Sequence, residues 1–481
     1  MNVVVVSNRI ARARSDDPIA GGLAAALLPA VRDFGAIWVG SSGRLRNASR
    51  NDAFVQINAF GNGALGAIDL PQDHYSGYYD GFANSALWPA FHARTDLIRA
   101  LPDHYLCYRE VNAYMARALL RFCTPDALFW VHDYHLLPLG LELRDLGVER
   151  PIGFFLHTPW PERSSFAAIP HHRELVRAML AYNLIGFQTD QDRENFVACL
   201  KEHPSLTVGD DRVISEHGTC RLAVFPIGID VQAFVDWTAK AAVSPEVSRL
   251  RESLRGTKLV IGVDRVDYAK GLTYRVRAFD RLLMTLPAFL RQIRYLQIAV
   301  PSRTGIATYS QLQSELATLV GEVNGRHGDF DWTPIRYLNK GFSQATLAGF
   351  YRTANVGLVT PLHDGMNLVA KEYVAAQDPS DPGVLILSEF AGAAKQLDSA
   401  LLVNPHDIDD VAKKLAAAFT MPAEQRRERW EPMMKRLRGS SVHQWFSQFL
   451  DTLADTRPET PIHVHVPSFE APRFAQRAQT H

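Results

Sequence analysis

Asp364-Gly365-Met366-Asn367-Leu368-Val369-Ala370-Lys371-Glu372 is where a strand-like segment gives way to a helix. It follows a short apolar run, Asn355 to Val359, that ends in Thr360-Pro361. It leads into a helical pattern through Tyr373, Val374, Ala375 and Ala376. The first turn of a helix carries unpaired N–H groups and a partial positive charge, so a helix start just past a strand can receive a phosphate. Asp364 or Asn367 is expected to cap this helix. Glu372 falls one turn after Leu368, so both can face one ligand, and a carboxylate there can take two hydrogen bonds from a ribose diol. The same residues also fit a plain capped crossover helix with a surface glutamate. The rest of the chain has to decide between the two.

On both sides of this stretch, strands and helices alternate. Val3 to Val6 is β-branched throughout, as in a strand buried on both faces, and it ends in Ser7-Asn8-Arg9. Gly21-Gly22 opens a helical run, Leu23 to Val31. Residues 44–75, with Gly61, Gly63 and Gly66, fit β-hairpins, and the segment 78–89 reads as aromatic and turn-rich. Ala127 to Val131, Ile152 to Leu156, Leu184 to Phe187 and Arg221 to Phe225 are further strands, with helices between them. A second series starts at Lys258 and runs through strands at 259–263, 294–300, 335–338, 355–359, 384–387 and 400–403. This spacing predicts parallel sheets with right-handed crossovers, and too many strands for one domain. The expected fold is α/β, with one domain over residues 1–230 and a second over 231–440. Residues 441–456 form a helix whose apolar face, Trp445, Phe446, Phe449 and Leu450, needs a partner surface, with the first domain as the candidate. The Pro-rich tail 457–481 reads as disordered.

Composition removes several classes. The 481 residues are 47% hydrophobic, with 51 Lys+Arg against 51 Asp+Glu. A net charge of zero gives no bulk attraction to nucleic acid or an anionic membrane. The N-terminus has no basic region before its valines, and no apolar run approaches the ~18 residues of a membrane span. Cys107, Cys123, Cys199 and Cys220 show no CxxC spacing and read as reduced thiols of a cytoplasmic protein. Gly21-Gly22-Leu23 is not GxGxxG, and neither GxxxxGK[ST] nor GxSxG occurs.

In open α/β sheets ligands bind beyond the carboxyl ends of the strands. Arg9, Asp133, His157, Arg265, Lys270, Arg303 and Asp364 all follow such ends, and together they point to a cleft between the domains. Arg265 and Lys270 share one loop and can reach a diphosphate if Gly271 lets the chain turn; salt bridges to Asp264 or Asp267 are the alternative. Arg9 and Arg303 can hold a second anion, or be surface arginines. His132 and His135 lie three residues apart across a strand end with no third ligand, so a metal is not expected. Asp133 can equally cap a helix over 136–146, His157 can be a core histidine, and Tyr79 and Trp88 can be core aromatics or walls of a sugar site.

With these residues collected, the chain resembles the trehalose-6-phosphate synthase family, retaining glycosyltransferases with two Rossmann-like domains facing a cleft, the GT-B architecture. The likeness rests on Ser7-Asn8-Arg9, Gly21-Gly22, Leu87-Trp88-Pro89-Ala90-Phe91-His92, Val131-His132-Asp133-Tyr134-His135-Leu136-Leu137-Pro138, Arg265-Val266-Asp267-Tyr268-Ala269-Lys270-Gly271 and Asp364 to Tyr373. These motifs span about residues 3–450. The resemblance implies transfer of glucose from UDP-glucose to glucose-6-phosphate with retention, and no metal. It implies that Gly21 and Gly22 let the first-domain loop approach the donor. Arg265 and Lys270 would hold the diphosphate, Phe342 would lie near the base, and Leu368, Val369, Ala370 and Lys371 would form the helix start under the phosphates. Glu372 would hold the ribose, and Asp364 and His157 the transferred glucose. Arg9, Tyr79, Trp88, Asp133 and Arg303 would form the acceptor site. Catalysis would rest on Asp133, His157, Arg265, Lys270 and Asp364.

Two stretches depart from the family pattern. His157-Thr158-Pro159-Trp160-Pro161 stands where close members often have His-Ile-Pro-Phe-Pro, and Ser41 where they often have Trp. Thr158 is expected opposite Trp88, where the family selects the acceptor anomer, so a different phosphorylated acceptor is an alternative. A non-catalytic sugar-phosphate sensor and a pyridoxal-phosphate phosphorylase of similar architecture are others. Small-molecule substrates are the expected partners, and a homo-oligomer stays open.

Overall fold

The computed structural model describes residues 2–11, 22–47, 55–201 and 206–456. Gly21 and the tail 457–481 lie outside the described residues.

Two sheets organise the molecule. The first has ten strands in the spatial order Val55–Phe60, Gly63–Pro71, Ile37–Arg46, Asn2–Arg9, Ala127–His132, Ile152–Phe155, Leu184–Phe187, Gly218–Val224, Arg212–Ser215 and Thr207–Val208. Its centre is parallel, with Val4 opposite Phe129 on one side and Ile37 on the other. Val3 to Val6 are buried, as β-branched residues covered on both faces should be. The second sheet has six strands in the order Ile335–Leu338, Ile293–Val300, Lys258–Arg265, Val356–Val359, Val384–Ser388 and Leu401–Val403, all parallel.

The first sheet is therefore mixed: its centre is parallel as expected, one edge carries a hairpin within residues 44–75 as expected, and the other edge is antiparallel where a parallel strand was expected. At one edge Val55–Phe60 pairs antiparallel with Gly63–Pro71, and at the other Arg212–Ser215 pairs antiparallel with Gly218–Val224. Each pair is joined by two residues, too few for a parallel crossover. Gly61, at φ 58°, makes the first of these turns.

The segment expected to be turn-rich is helical. Gly77–Leu87 is a π-helix, continued by an α-turn over Trp88–Phe91. Its own side chains fit the five-residue period: Asn84 Nδ2 donates to Tyr79 O at 2.8 Å and Ser85 Oγ to Asp80 O at 2.6 Å. Helices over Val231–Ala241, Pro245–Leu254 and Ala423–Arg438 were not foreseen.

The chain crosses between the two sheets twice. The crossings touch: a Cβ on Gly228 would sit 2.0 Å from Ser440 O. Beyond the second crossing, Ser441 accepts from Gln444 N and starts the helix Val442–Ala454. That helix lies on the first sheet. Phe449 stacks on Trp130 at 4.4 Å and fills a groove left open by Gly153 and Gly186, where added Cβ atoms would sit 2.7 and 2.8 Å from its ring. No disulfide joins the described cysteines. Among the described residues no helix is long and apolar enough to cross a membrane.

Candidate active site

The loops that leave the carboxyl ends of both sheets meet at one place. The strand Lys258–Arg265 runs into a short turn, Tyr268–Lys270, started by Asp267, whose Oδ1 accepts from Ala269 N at 3.0 Å. Gly271 follows at φ 65°, and a Cβ there would sit 2.3 Å from Thr360 O. Only glycine fits this turn, which folds Lys270 back over the sheet. Beneath it, Arg275 is buried against Asp264 at 2.6 Å and donates to Thr360 Oγ1 and Lys270 O. Asp264 thus holds Arg275, not Arg265 or Lys270.

Lys270 Nζ pairs with the Asp364 carboxylate, which also accepts from Asn367 Nδ2 at 3.0 Å. Burial pushes the Asp364 carboxyl up, but Lys270 outweighs it and holds the group below its ordinary range. Asp364 therefore caps nothing. The helix Leu368–Ala376 starts after Asn367, which has a left-handed backbone (φ 72°) and whose side chain donates to Asp364 and makes no cap bond to the first turn. This corrects the expected capping and leaves the helix start open to an anion. Glu372 accepts from Tyr351 Oη at 3.3 Å, and burial raises its carboxyl to about 7. Leu368 and Val369 are half-buried and Ala370 is buried. Lys371 turns away from this side: its Nζ donates to Ile227 O and to Gln396 Oε1, both at 2.5 Å. Leu368 and Glu372 line a cavity with Gln344, Trp237, Asp230 and Gly228 at the junction of the two units. Phe342 is half-buried, edge-on to Phe350 at 5.2 Å.

The opposite wall comes from the first sheet. Asp133 has φ 76°, and its Oδ1 accepts from His157 N at 3.2 Å, so it caps no helix. Burial raises its carboxyl to about 6. His157 shares a hydrogen bond of 3.0 Å with His132, and burial lowers it to about 3, so both rings are neutral near pH 7. Thr158 is buried and its hydroxyl has no partner among the described residues. Trp88 is buried, with the Arg303 guanidinium 3.8 Å from its ring centroid and that of Arg265 at 5.8 Å. Tyr79 stacks on His135 at 5.7 Å. Arg9 is exposed, its guanidinium beside Gly43. Gly22 begins the helix Gly22–Phe34.

The two walls are in contact. A Cβ on Gly365 would sit 2.2 Å from His157 O, so the strand-end loops of the two sheets press together. Arg303 Nη1 donates to Asp267 Oδ2 at 2.7 Å and to Tyr309 Oη, and Nη2 donates to Tyr134 Oη at 3.1 Å. Tyr134 Oη in turn donates to Asn84 Oδ1 at 2.7 Å. Asp267, Tyr134, Asn84, His132 and Arg275 were not picked out as site residues. Asp267 and Tyr134 lie inside the motifs quoted above, so their position was readable while their partners were not. Among the described residues no group of three or more His, Cys, Asp or Glu side chains is placed to hold a metal ion.

An uncapped helix start, a lysine and arginine loop, and a second arginine on an aromatic wall form the kind of site that handles phosphorylated sugars. The sequence profile of glycosyltransferase family 20 matches residues 2–455, and the chain belongs to that family. It is 44% identical over 454 residues to a trehalose-6-phosphate synthase of Sinorhizobium fredii, covering 94% of this chain and 98% of the relative. Among solved structures, an α,α-trehalose-phosphate synthase (UDP-forming) of Burkholderia xenovorans in complex with glucose-6-phosphate superposes with a TM-score of 0.91 at 40% identity, covering 94% of this chain and all of that one. A structure from E. coli bound with UDP-2-fluoro glucose superposes at 0.88, also at 40% identity, covering 94% and 99%. The two-unit α/β architecture expected from the motifs is the one found.

Proposed function

We propose that this chain transfers glucose from UDP-glucose to glucose-6-phosphate, giving α,α-trehalose 6-phosphate and UDP. The observation that carries this reading is the contact between two anion-ready halves. Lys270 and Asp364 stand beside the open start of the helix Leu368–Ala376, and Arg303 lies on Trp88 across the junction. The family match and the relatives' names support it.

The donor assignment follows the chemistry of each group. Arg265 and Lys270 offset the charge that develops on the leaving diphosphate. The helix start at Leu368 and Val369 gives backbone N–H groups to the phosphates, and Glu372 takes the ribose hydroxyls. Arg9, Tyr79, Trp88 and Arg303 take the acceptor, with its phosphate on the arginines. Asp133 stands with the acceptor groups, and His157 and Asp364 frame the transferred glucose. Residues 1–230 serve as the acceptor domain and 231–440 as the donor domain. Retention follows a front-face route in which the leaving diphosphate accepts the acceptor's proton, with no metal and no protein nucleophile.

The test is product formation by purified protein given UDP-glucose and a panel of phosphorylated acceptors, read by mass spectrometry and anomeric proton coupling. Trehalose 6-phosphate formed from glucose-6-phosphate in preference to the panel, at a rate unchanged by EDTA, is expected. Preference for another acceptor would replace glucose-6-phosphate in this reading. Proportionate loss of activity in EDTA would remove the metal-free route.

A further inference from the structure

Asp267 is a fully buried carboxylate, yet it stays ionised: burial pushes it up, and Arg303 and Arg265 more than offset that, leaving it below the ordinary range. Three donors from three parts of the chain converge on it. Ala269 N belongs to its own loop, the one that carries Lys270. Arg303 Nη1 comes from the loop after the next strand, at 2.7 Å. Trp88 Nε1 comes from the first sheet's side, at 3.4 Å. The indole and the guanidinium it binds are also stacked on each other at 3.8 Å. One carboxylate thus fixes the orientation of two acceptor-wall groups through one oxygen each, while the oxygen that meets Trp88 also shapes the turn under the diphosphate-holding lysine.

We propose that Asp267 is a positioning residue that couples the acceptor site to the donor-diphosphate site. This rests on the assignment of Trp88 and Arg303 to the acceptor and of Arg265 and Lys270 to the donor. An anion arriving at Arg303 competes with Asp267 Oδ2 for the same Nη1 donor. The carboxylate, relieved of that partner, turns its charge toward its remaining neighbours, the Lys270 turn and Arg265. Binding on one side therefore changes the field on the other, and the coupling must run equally in both directions. Asp267 touches no reacting atom in this scheme. Its effect is on how the two sites respond to each other.

The experiment is a binding cycle. The Kd of UDP is measured by calorimetry on the full chain, with and without saturating glucose-6-phosphate, for the wild type and for Asp267→Asn. Asn keeps the shape and removes the charge. The wild type is expected to show a UDP Kd changed about tenfold by the acceptor. Asp267→Asn is expected to show a change of less than about twofold, with its circular dichroism spectrum intact. A variant merely loosened in structure would weaken both ligands and leave the ratio untouched. If Asp267→Asn does not fold, Trp88→Phe removes the indole N–H on Asp267, together with part of the ring under Arg303, and is expected to lower the same ratio. An unchanged ratio in either folded variant overturns the proposal, as does a wild-type ratio of one. Turnover of wild type with both substrates is measured alongside. Its absence would bring down the functional assignment and this inference with it, whereas full turnover with an unchanged ratio would bring down this inference alone.

Discussion

The Lys270 ammonium and the Asp364 carboxylate form an ion pair, each side chain 13% exposed, that ties the loop after Lys258–Arg265 to the loop before the helix Leu368–Ala376. The pair joins the two elements proposed to frame the diphosphate. Taking Lys270 away leaves Asp364 buried without its counter-charge, which costs roughly 3 kcal/mol. On the proposed assignment it also removes a cation from the leaving group. Lys270→Ala is therefore expected to lower the denaturation free energy by about that amount and kcat by about 10²–10³-fold. Denaturant titration and steady-state kinetics check the two parts separately. Wild-type kcat in a folded variant would remove Lys270 from the chemistry.

Gly365 packs against the backbone of the opposite wall, where a methyl group would lie 2.2 Å from His157 O and 2.9 Å from Thr158 C. Neither neighbour is a flexible side-chain end, so Gly365→Ala must push the loops apart. A displacement of about 1 Å at reacting groups can cost on the order of 10²-fold in rate. The expected result is a folded protein with kcat reduced on that scale. Activity within about twofold of wild type would mean that the loops do not need this contact.

Glu372 gives a pH-dependent prediction. Burial raises its carboxyl from 4.5 to about 7, with only the Tyr351 hydroxyl favouring the ion. The folded chain then holds this proton more tightly than the unfolded chain does. Stability present below pH 4.5 is lost as pH rises through the window from 4.5 to about 7. Asp133, raised from 3.8 to about 6 by burial, adds a slope of the same sign. Glu372→Gln is expected to flatten the melting-temperature profile across that window and to melt above wild type at pH 8. On the proposed assignment the same change takes a double acceptor from the ribose, so the UDP Kd should rise about tenfold. Thermal melts in a pH series and calorimetry with UDP read both effects. An unaltered pH slope would contradict the burial of the ionised group.

The C-terminal helix offers a test of the crossing. Phe449 sits between Trp130 and the two glycines of neighbouring strands, fully buried. Phe449→Ala is expected to cost about 3–5 kcal/mol in a denaturant titration. A loss below about 1 kcal/mol would mean that the helix is not fixed to the first sheet.

The alternation of elements was readable because buried parallel strands such as Val3 to Val6 are continuously apolar and have few other uses. The hairpin at one edge was readable from the glycines of residues 44–75, but the antiparallel pair of Arg212–Ser215 with Gly218–Val224 at the other was not, since direction there depends on a two-residue turn and not on the strands. Ala423–Arg438 hid behind charge: only Trp430, Met433, Met434 and Leu437 are buried in it, and Pro432 reads as a breaker. The π-helix escaped because its five-residue backbone period is rare, and the Asn84 and Ser85 side-chain bonds five residues back that accompany it leave no pattern in the sequence. At the site, the strand-end rule located the loops. It could not choose partners among like charges. Asp264 directly precedes Arg265 and Asp267 follows two residues later, yet one takes Arg275 from a helix and the other takes Arg303 from another loop.

Thr158 departs from the family pattern at the position expected to face the acceptor, and its hydroxyl is buried without a partner. An unpaired buried hydroxyl costs roughly 1–3 kcal/mol, a cost the ligand-free chain bears unless a substrate satisfies the group. Thr158→Val keeps the shape and removes the hydroxyl. The ligand-free variant is expected to be more stable than wild type by about 1 kcal/mol in a denaturant titration. If the acceptor supplies the missing hydrogen bond, kcat/KM for glucose-6-phosphate should fall about tenfold while the donor KM stays put. A gain in stability with unchanged kcat/KM would assign the hydroxyl to packing alone. A loss of stability would mean that it is already satisfied within the fold, and that the choice of acceptor lies with Trp88.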